Sequence, residues 1–250
     1  MTRVGFDHIS VHKQVTGTMK TIGLLGGMSW ESTELYYRWI NEGIKSRLGG
    51  LHSAKIAMVS VDFQEIEVLQ HAGDWEKAGQ VLAEAGRQVE AAGADFLLIC
   101  TNTMHKVAPQ IEAAINIPIL HLADATADRI KAQGIKRVGL LGTNFTMEQD
   151  FYRGRLTDIH GLDVLVPSPE DRQIIHRIIY DELVLGEVRE SSRQAYLTIM
   201  DKLRNQGAEA IIEGCTEIVL LVQQQHTDIP LFDTTAIHAE AAVAMAVPHD

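Results

Sequence analysis

The chain predicts an α/β fold of two pseudo-symmetric lobes, each a doubly wound parallel sheet, with a cleft between them. Three observations carry the prediction. Short aliphatic runs alternate with amphipathic stretches, the runs are apolar on both faces, and a group of motifs recurs at almost constant spacing. Strands covered by helices on both sides read as continuous apolar runs rather than as a period-two alternation.

In chain order, the first set of strands is expected at Thr21–Leu25, Lys55–Val61, Phe96–Ile99 and Ile119–Leu120. The second set is expected at Arg137–Leu141, Leu162–Val166, Ala210–Ile212 and Leu231–Phe232. Each is short and bounded by polar or Gly punctuation. Trp75–Ala92 and Arg189–Gln206 read as crossover helices, the second with Leu197, Met200 and Leu203 at helical spacing and Gly207 as its C-terminal stop. Ser168-Pro169-Glu170-Asp171 reads as an N-cap followed by Pro and acids in a first turn. The final stretch Ala236–Val247 is expected to cross back onto the first lobe.

The repeat is the most informative feature. Gly23 of Thr21–Gly27 pairs with Gly139 of Arg137–Thr143, Gly93 of Gly93-Ala94-Asp95 with Gly207 of Gly207-Ala208-Glu209, and Ile117-Pro118 with Ile229-Pro230. The offsets are 116, 114 and 112 residues, in the same order along the chain. Two copies are too few for a solenoid and describe two similar lobes. The expected division is 19–122 with 234–250 for the first lobe and 123–233 for the second. Residues 1–18 lack apolar periodicity and the h-region of a secretory signal. They are expected to form a disordered extension.

Composition narrows the partners. The 250 residues carry 22 Lys+Arg against 33 Asp+Glu, a formal charge of −11, with 46% hydrophobic residues. A surface this acidic argues against a nucleic-acid or anionic-membrane partner, and no apolar run approaches the roughly 20 residues that span a bilayer. The two cysteines, Cys100 and Cys215, provide no disulfide framework and fit a cytoplasmic setting.

Ligands of open α/β sheets bind beyond the strand C-termini. The repeat aligns Thr101, after Phe96–Ile99, with Cys215, after Ala210–Ile212, so the lobes would present these two residues from opposite sides of one cleft. That geometry suits removal of a proton from one face of a carbon acid and its return to the other. A thiol serves because its pKa, about 8.5 unperturbed, can be lowered at a helix N-terminus. Glu217 is placed to orient Cys215 or relay its proton, although its charge opposes the thiolate. The competing reading of Cys215 is a small buried hydrophobe, as most free cysteines are.

The quoted residues resemble the cofactor-independent aspartate/glutamate racemase family, close to its aspartate-racemase branch. Gly26–Thr33, Thr101-Asn102-Thr103-Met104-His105, Leu141-Gly142-Thr143 and Gly214-Cys215-Thr216-Glu217 carry the resemblance, which runs from Met19 almost to the end. It implies a two-lobed, commonly dimeric fold and inversion of an amino-acid α-carbon by two bases, without pyridoxal phosphate or metal. It also implies that Met28, Ser29, Thr33, Asn102, Thr103 and Thr216 hold the carboxylate and amine, with Thr143 and Thr146 as further candidates.

The sequence departs from that family twice. The family's first catalytic cysteine falls at Thr101, with Cys100 one residue early. Successive strand side chains face opposite ways, so Cys100 is expected to be buried. A threonine hydroxyl is a far weaker acid than a thiol, so the enzyme is expected to treat its two enantiomers at unequal rates. Second, the aspartate-specific members place an Arg after the second strand and a Lys in the second lobe. Here Asp62–Gln70 holds no basic residue, leaving Gln70 and His176 to meet a distal group; His176 also reads as a solvated helix residue. Glutamate or a neutral side chain such as homoserine is thereby admitted beside aspartate.

No G-x-G-x-x-G or G-x-x-x-x-G-K-[ST] is present. His238-Ala239-Glu240 resembles the start of a zinc-deaminase motif without its Pro-Cys-x-x-Cys. The expectation is an amino-acid racemase using Cys215 and Thr101, with no cofactor and no metal, acting on a small-molecule amino acid as a homodimer. The alternatives are a single-cysteine decarboxylase or cis–trans isomerase of the same superfamily, or a non-catalytic amino-acid-binding protein.

Overall fold

The computed structural model describes residues 18–247; the expected extension over residues 1–18 lies, apart from Thr18, outside the described residues. The first sheet is built from β1 (Ile22–Gly26), β2 (Ile56–Ser60) and β3 (Phe96–Ile99), with α1 (Trp30–Leu48), α2 (Phe63–Ala72), α3 (Trp75–Ala91) and α4 (Ala108–Glu112) between and after them. Its order is β2-β1-β3, all parallel, and Ile119 adds an isolated parallel bridge to Leu97. The second sheet follows α5 (Leu122–Ala132) and contains β4 (Arg137–Gly142), β5 (Asp163–Leu165), β6 (Ala210–Gly214) and β7 (Leu231–Asp233). Its helices are α6 (Asn144–Glu148), α7 (Asp150–Gly154), α8 (Pro169–Asp181), α9 (Glu190–Asn205), α10 (Ile218–Leu221) and the closing α11 (Thr234–Ala246). The order β5-β4-β6-β7, again parallel, repeats that of the first sheet, with β7 in the place of the Ile119 bridge.

The all-round apolar strands follow from helices on both faces. Leu25, Leu97 and Ile99 pack with Leu82, Ala85 and Val89 of α3, whereas Ile22, Leu24, Phe96 and Leu98 pack with α1 and α11. In the second lobe Leu141 and Ile211 pack with α8 and α9; Val138, Leu140, Ala210 and Ile212 pack with α5. Alternation within each strand therefore sorts side chains between two cores.

Local chemistry sets the helix ends. Ser168 Oγ accepts from Asp171 N at 3.2 Å, with Pro169 opening α8 as the motif predicts. Gly207, with φ +100°, takes the left-handed position after α9, which ends at Asn205. Two expected elements change. Ile119–Leu120 is a single bridge rather than a strand. The last helix begins at Thr234, two residues before the expected start, because Asp233 Oδ1 accepts from Thr235 N and Ala236 N at 2.9 and 3.0 Å.

The closing helix reaches back over the first sheet. Ala239, Ala242, Val243 and Ala246 share a core with Tyr36, Ile40 and Ile44 of α1. Arg47 Nη1 donates to the carbonyls of Val243 and Val247 at 3.1 and 2.8 Å, tying the C-terminal end of the helix to α1. The strand C-termini of both sheets thus lie beside the same helix start.

Candidate active site

The loop after β1 is the first wall. Gly27 has φ +93°, and a Cβ there would lie 2.2 Å from Val61 O, so only glycine allows the chain to turn against β2. Thr33 Oγ1 donates to Ser29 O and accepts from Gly27 N, both at 2.8 Å. Ser29 Oγ caps α1 by accepting from Ser32 N at 3.3 Å. Met28 and Ser32 face inward as a result.

The other walls come from the turns after β3 and β6. Thr101, Asn102 and Thr103 on one side, and Gly214, Cys215, Thr216 and Glu217 on the other, enclose with Met28 and Ser32 a cavity of about 30 Å³. That is roughly the share of one water molecule in the liquid, too little room for an amino acid. The alignment by repeat holds in space: Thr101 and Cys215 line one cavity, one from each lobe.

Cys215 Sγ donates to Glu217 Oε2 at 2.9 Å, and Ser29 Oγ donates to Glu217 Oε1 at 3.4 Å. Burial first, and then the Glu217 carboxylate, hold the thiol well above its ordinary pKa. This corrects the expectation of a helix-lowered thiol. The helix that follows, α10, has only 4 residues, and desolvation beside an anion outweighs what one turn can offer. Cys100 points the other way. It is fully buried among Ile22, Leu24 and Tyr36 beneath α1 and α11, where desolvation raises its pKa strongly.

A hydroxyl line runs outward from the cavity: Thr103 Oγ1 and Thr143 Oγ1 share a hydrogen bond of 3.3 Å, as do Thr143 Oγ1 and Thr146 Oγ1. Thr143 and Thr146 therefore reach the site through Thr103. Behind Thr101, His105 Nδ1 donates to the Thr101 carbonyl at 2.8 Å while its Nε2 accepts from Leu122 N at 3.3 Å. Burial pushes His105 down to about 4, keeping it neutral as this pairing requires.

Six expected ligands do not line the cavity: Ser29, whose hydroxyl caps α1 and meets Glu217, Thr143 and Thr146, which reach it only through Thr103, and Thr33, Gln70 and His176. The Thr33 hydroxyl is spent on the loop, as described, and Ser32 takes the inward position. Gln70 is buried and donates through Nε2 to Met104 Sδ at 2.8 Å. His176 accepts from Asn144 N through Nδ1 at 3.3 Å. Gln70 and His176 instead flank an aromatic cluster that joins the lobes. Phe145 stands edge-on to Trp75 at 5.4 Å, to His71 at 6.4 Å and to His176 at 6.5 Å, and His71 meets Tyr180 at 5.9 Å.

Sequence reasoning missed Thr234 and Thr235 altogether. Asn102 Nδ2 donates to Thr234 Oγ1 at 3.1 Å, and Thr216 Oγ1 shares a 3.0 Å hydrogen bond with Thr235 Oγ1. Their position directly after β7 is the signal that located Thr101 and Cys215, applied to a third strand end. His238, the start of the deaminase-like fragment, is buried; its Nε2 donates to Leu120 O at 2.7 Å and its Nδ1 accepts from Tyr36 OH at 2.8 Å. Among the described residues no group of three or more His, Cys, Asp or Glu is placed to hold a metal ion, and no helix is long and apolar enough to cross a membrane.

Comparison with known proteins identifies the family. The sequence profile of the Asp/Glu/Hydantoin racemase family matches residues 25–242. A crystal structure of a candidate Asp/Glu racemase from Yersinia pestis is 59% identical with a TM-score of 0.87, covering 91% of this chain and 99% of that one. An aspartate racemase homologue from Pyrococcus horikoshii is 32% identical with a TM-score of 0.80 over 91% of this chain and 99% of its own. The broad specificity amino-acid racemase RacX of Bacillus subtilis is 23% identical over 171 residues, 68% of this chain and 73% of that protein.

Proposed function

The chain belongs to the Asp/Glu/hydantoin racemase family, and from that premise we propose that it is a cofactor-independent racemase of aspartate, glutamate or homoserine with unequal rates from the two enantiomers. The observation that carries the reading is the single thiol of the cavity, bonded to a carboxylate on one side, with a threonine in the opposing position.

The chemistry follows from those groups. At rest Cys215 is a thiol and Glu217 its acceptor. Transfer of the Sγ proton to Glu217 leaves a desolvated thiolate, a stronger base than one in water, which takes the α-proton and becomes a thiol again. The electron pair left on the α-carbon delocalises into the substrate carboxylate, which the hydroxyls of Ser32, Thr103 and Thr216 are placed to hold. A proton from the Thr101 hydroxyl, or from a water beside it, arrives on the other face; solvent replaces it, and Glu217 gives up the proton it took from Cys215 to solvent, restoring the resting pair. Starting from the other enantiomer, Thr101 or its water must act as base, and the rate falls. Kinetic bias of this kind leaves the equilibrium ratio, fixed by the substrate, unchanged.

The substrate's amine meets the Asn102 Oδ1, a buried acceptor with no partner among the described residues. None of the residues lining the cavity is a fixed cation, in keeping with a tolerance for neutral side chains. An amino acid exceeds a cavity the size of one water, so the lobes must part to admit it. Exposed Trp30, Tyr37 and Met58 near the site loop support a homodimer, and the two unpaired cysteines suit a cytoplasmic protein.

Chiral chromatography of L- and D-aspartate, glutamate and homoserine incubated with the wild type and with Cys215→Ala tests the activity. Interconversion that disappears in the variant is the expected result. If none of the six amino acids is converted, the racemase reading is wrong.

A further inference from the structure

Two consecutive hydroxyls at the start of α11 each hold one of the turns that form the cavity. Thr234 bonds to Asn102 of the first lobe, and Thr235 to Thr216 of the second. Both threonines are almost fully buried.

The Thr234 bonds have a direction. Its hydroxyl proton is committed to Glu213 O at 2.9 Å, so toward Asn102 it has only a lone pair to offer. A lone pair can be met only by the amide NH₂, and Asn102 Nδ2 meets it at 3.1 Å. The other end of the amide is thereby fixed as the acceptor. Asn102 is 4% exposed, lines the cavity, and its Oδ1 has no partner among the described residues. A buried acceptor left open costs free energy, and in this place the group that relieves it is a cationic donor on the bound molecule.

We propose that Thr234 is a positioning residue: by fixing the orientation of the Asn102 amide it reserves Oδ1 for the ammonium group of the substrate. This inference rests on the amino-acid racemase reading. It goes beyond it by giving the first residue of α11 a role in selecting α-amino acids over acids of the same shape that lack the amine. Were the Thr234 hydroxyl absent, the amide could turn its NH₂ toward the ammonium, a like-polarity contact.

The test compares Thr234→Val and Thr234→Ser with the wild type in the full chain. Calorimetry measures affinity for an amino acid and for its desamino counterpart, succinate beside aspartate and glutarate beside glutamate; kinetics supply KM and kcat. A hydrogen bond to a charged group is worth roughly 10- to 100-fold in binding. Thr234→Val should therefore raise KM for the amino acid by about that factor, while affinity for the diacid stays within about threefold and kcat changes less than KM. Thr234→Ser, which keeps the hydroxyl, should restore the amino acid's affinity. Equal losses for both ligands, or no loss for either, would overturn the proposal. Melting temperatures of the three proteins separate folding defects from binding defects. If the wild type binds amino acids without converting them, the racemase reading fails alone, and the contrast between amino acid and diacid still decides the role of Thr234. A wild type that binds neither overturns both.

Discussion

Cys215 donates its thiol proton to Glu217 across 2.9 Å, so the thiol of the cavity and the carboxylate that accepts from it are two residues apart in one turn. The pair gives the site a resting state with the negative charge on oxygen. It also makes the thiol a weak acid, because burial and the adjacent carboxylate both oppose ionisation.

Replacing Glu217 by Gln should therefore separate reactivity from turnover. Without the anion the Cys215 pKa falls, and alkylation by iodoacetamide between pH 8 and 9 should accelerate by roughly severalfold. Racemisation should decline, since the proton has lost its acceptor. Slower alkylation in Glu217→Gln would mean that the carboxylate promotes the thiolate.

Cys100 provides the control. It lies under α1 and α11, on the sheet face opposite the cavity. Cys100→Ala should keep turnover within about twofold and cost about 1 kcal/mol in urea unfolding, the loss expected for a small buried group. A loss of activity matching Cys215→Ala would assign Cys100 a place in the chemistry.

The contacts of Phe145 with Trp75 and His71 join the two lobes. Aromatic pairs contribute about 0.5–1.5 kcal/mol each beyond their area. Phe145→Ala should populate the open cleft and speed alkylation of Cys215 by about tenfold at fixed pH. An unchanged rate would show that access to Cys215 does not pass through this cluster.

The dependence of stability on pH has two arms. Glu213 is buried in β6 with Oε1 unpartnered among the described residues, and desolvation together with Asp233 raises its carboxyl to about 8. The folded state then holds a proton that the unfolded state has released, so stability should fall as pH rises from about 4.5 to 8, by a few kcal/mol at most. His105 and His238, pushed down by burial to about 4 and about 3, stay neutral when folded. The unfolded state binds protons below about 6.5 that they do not, so stability should also fall toward acid. Melting temperature should peak near pH 6, and Glu213→Gln should flatten only the alkaline arm. A peak above pH 8 would contradict the assignment of Glu213.

Legibility in the sequence followed the physics of each signal. The strands were readable because Phe96–Ile99 and Val138–Leu141 are buried on both faces, which leaves an unbroken apolar run. The pairing of Thr101 with Cys215 was readable because the repeat preserves register. The ionisation of Cys215 was not, since it depends on burial and on where the Glu217 side chain turns. Thr33 and Ser32 are adjacent in sequence, and only the loop hydrogen bonds decide which hydroxyl is used internally. Thr234 and Thr235 carry no motif; their roles arise because α11 starts where two distant turns converge.

The most direct measurement of the central claim is α-proton exchange in D₂O, followed by NMR from each pure enantiomer of aspartate, glutamate and homoserine. It is run on the wild type, Cys215→Ala and Thr101→Cys. Two unequal exchange rates, abolished in Cys215→Ala and drawn together in Thr101→Cys, are the result expected of one thiol facing one threonine. Equal rates in the wild type, or exchange that survives in Cys215→Ala, would contradict it.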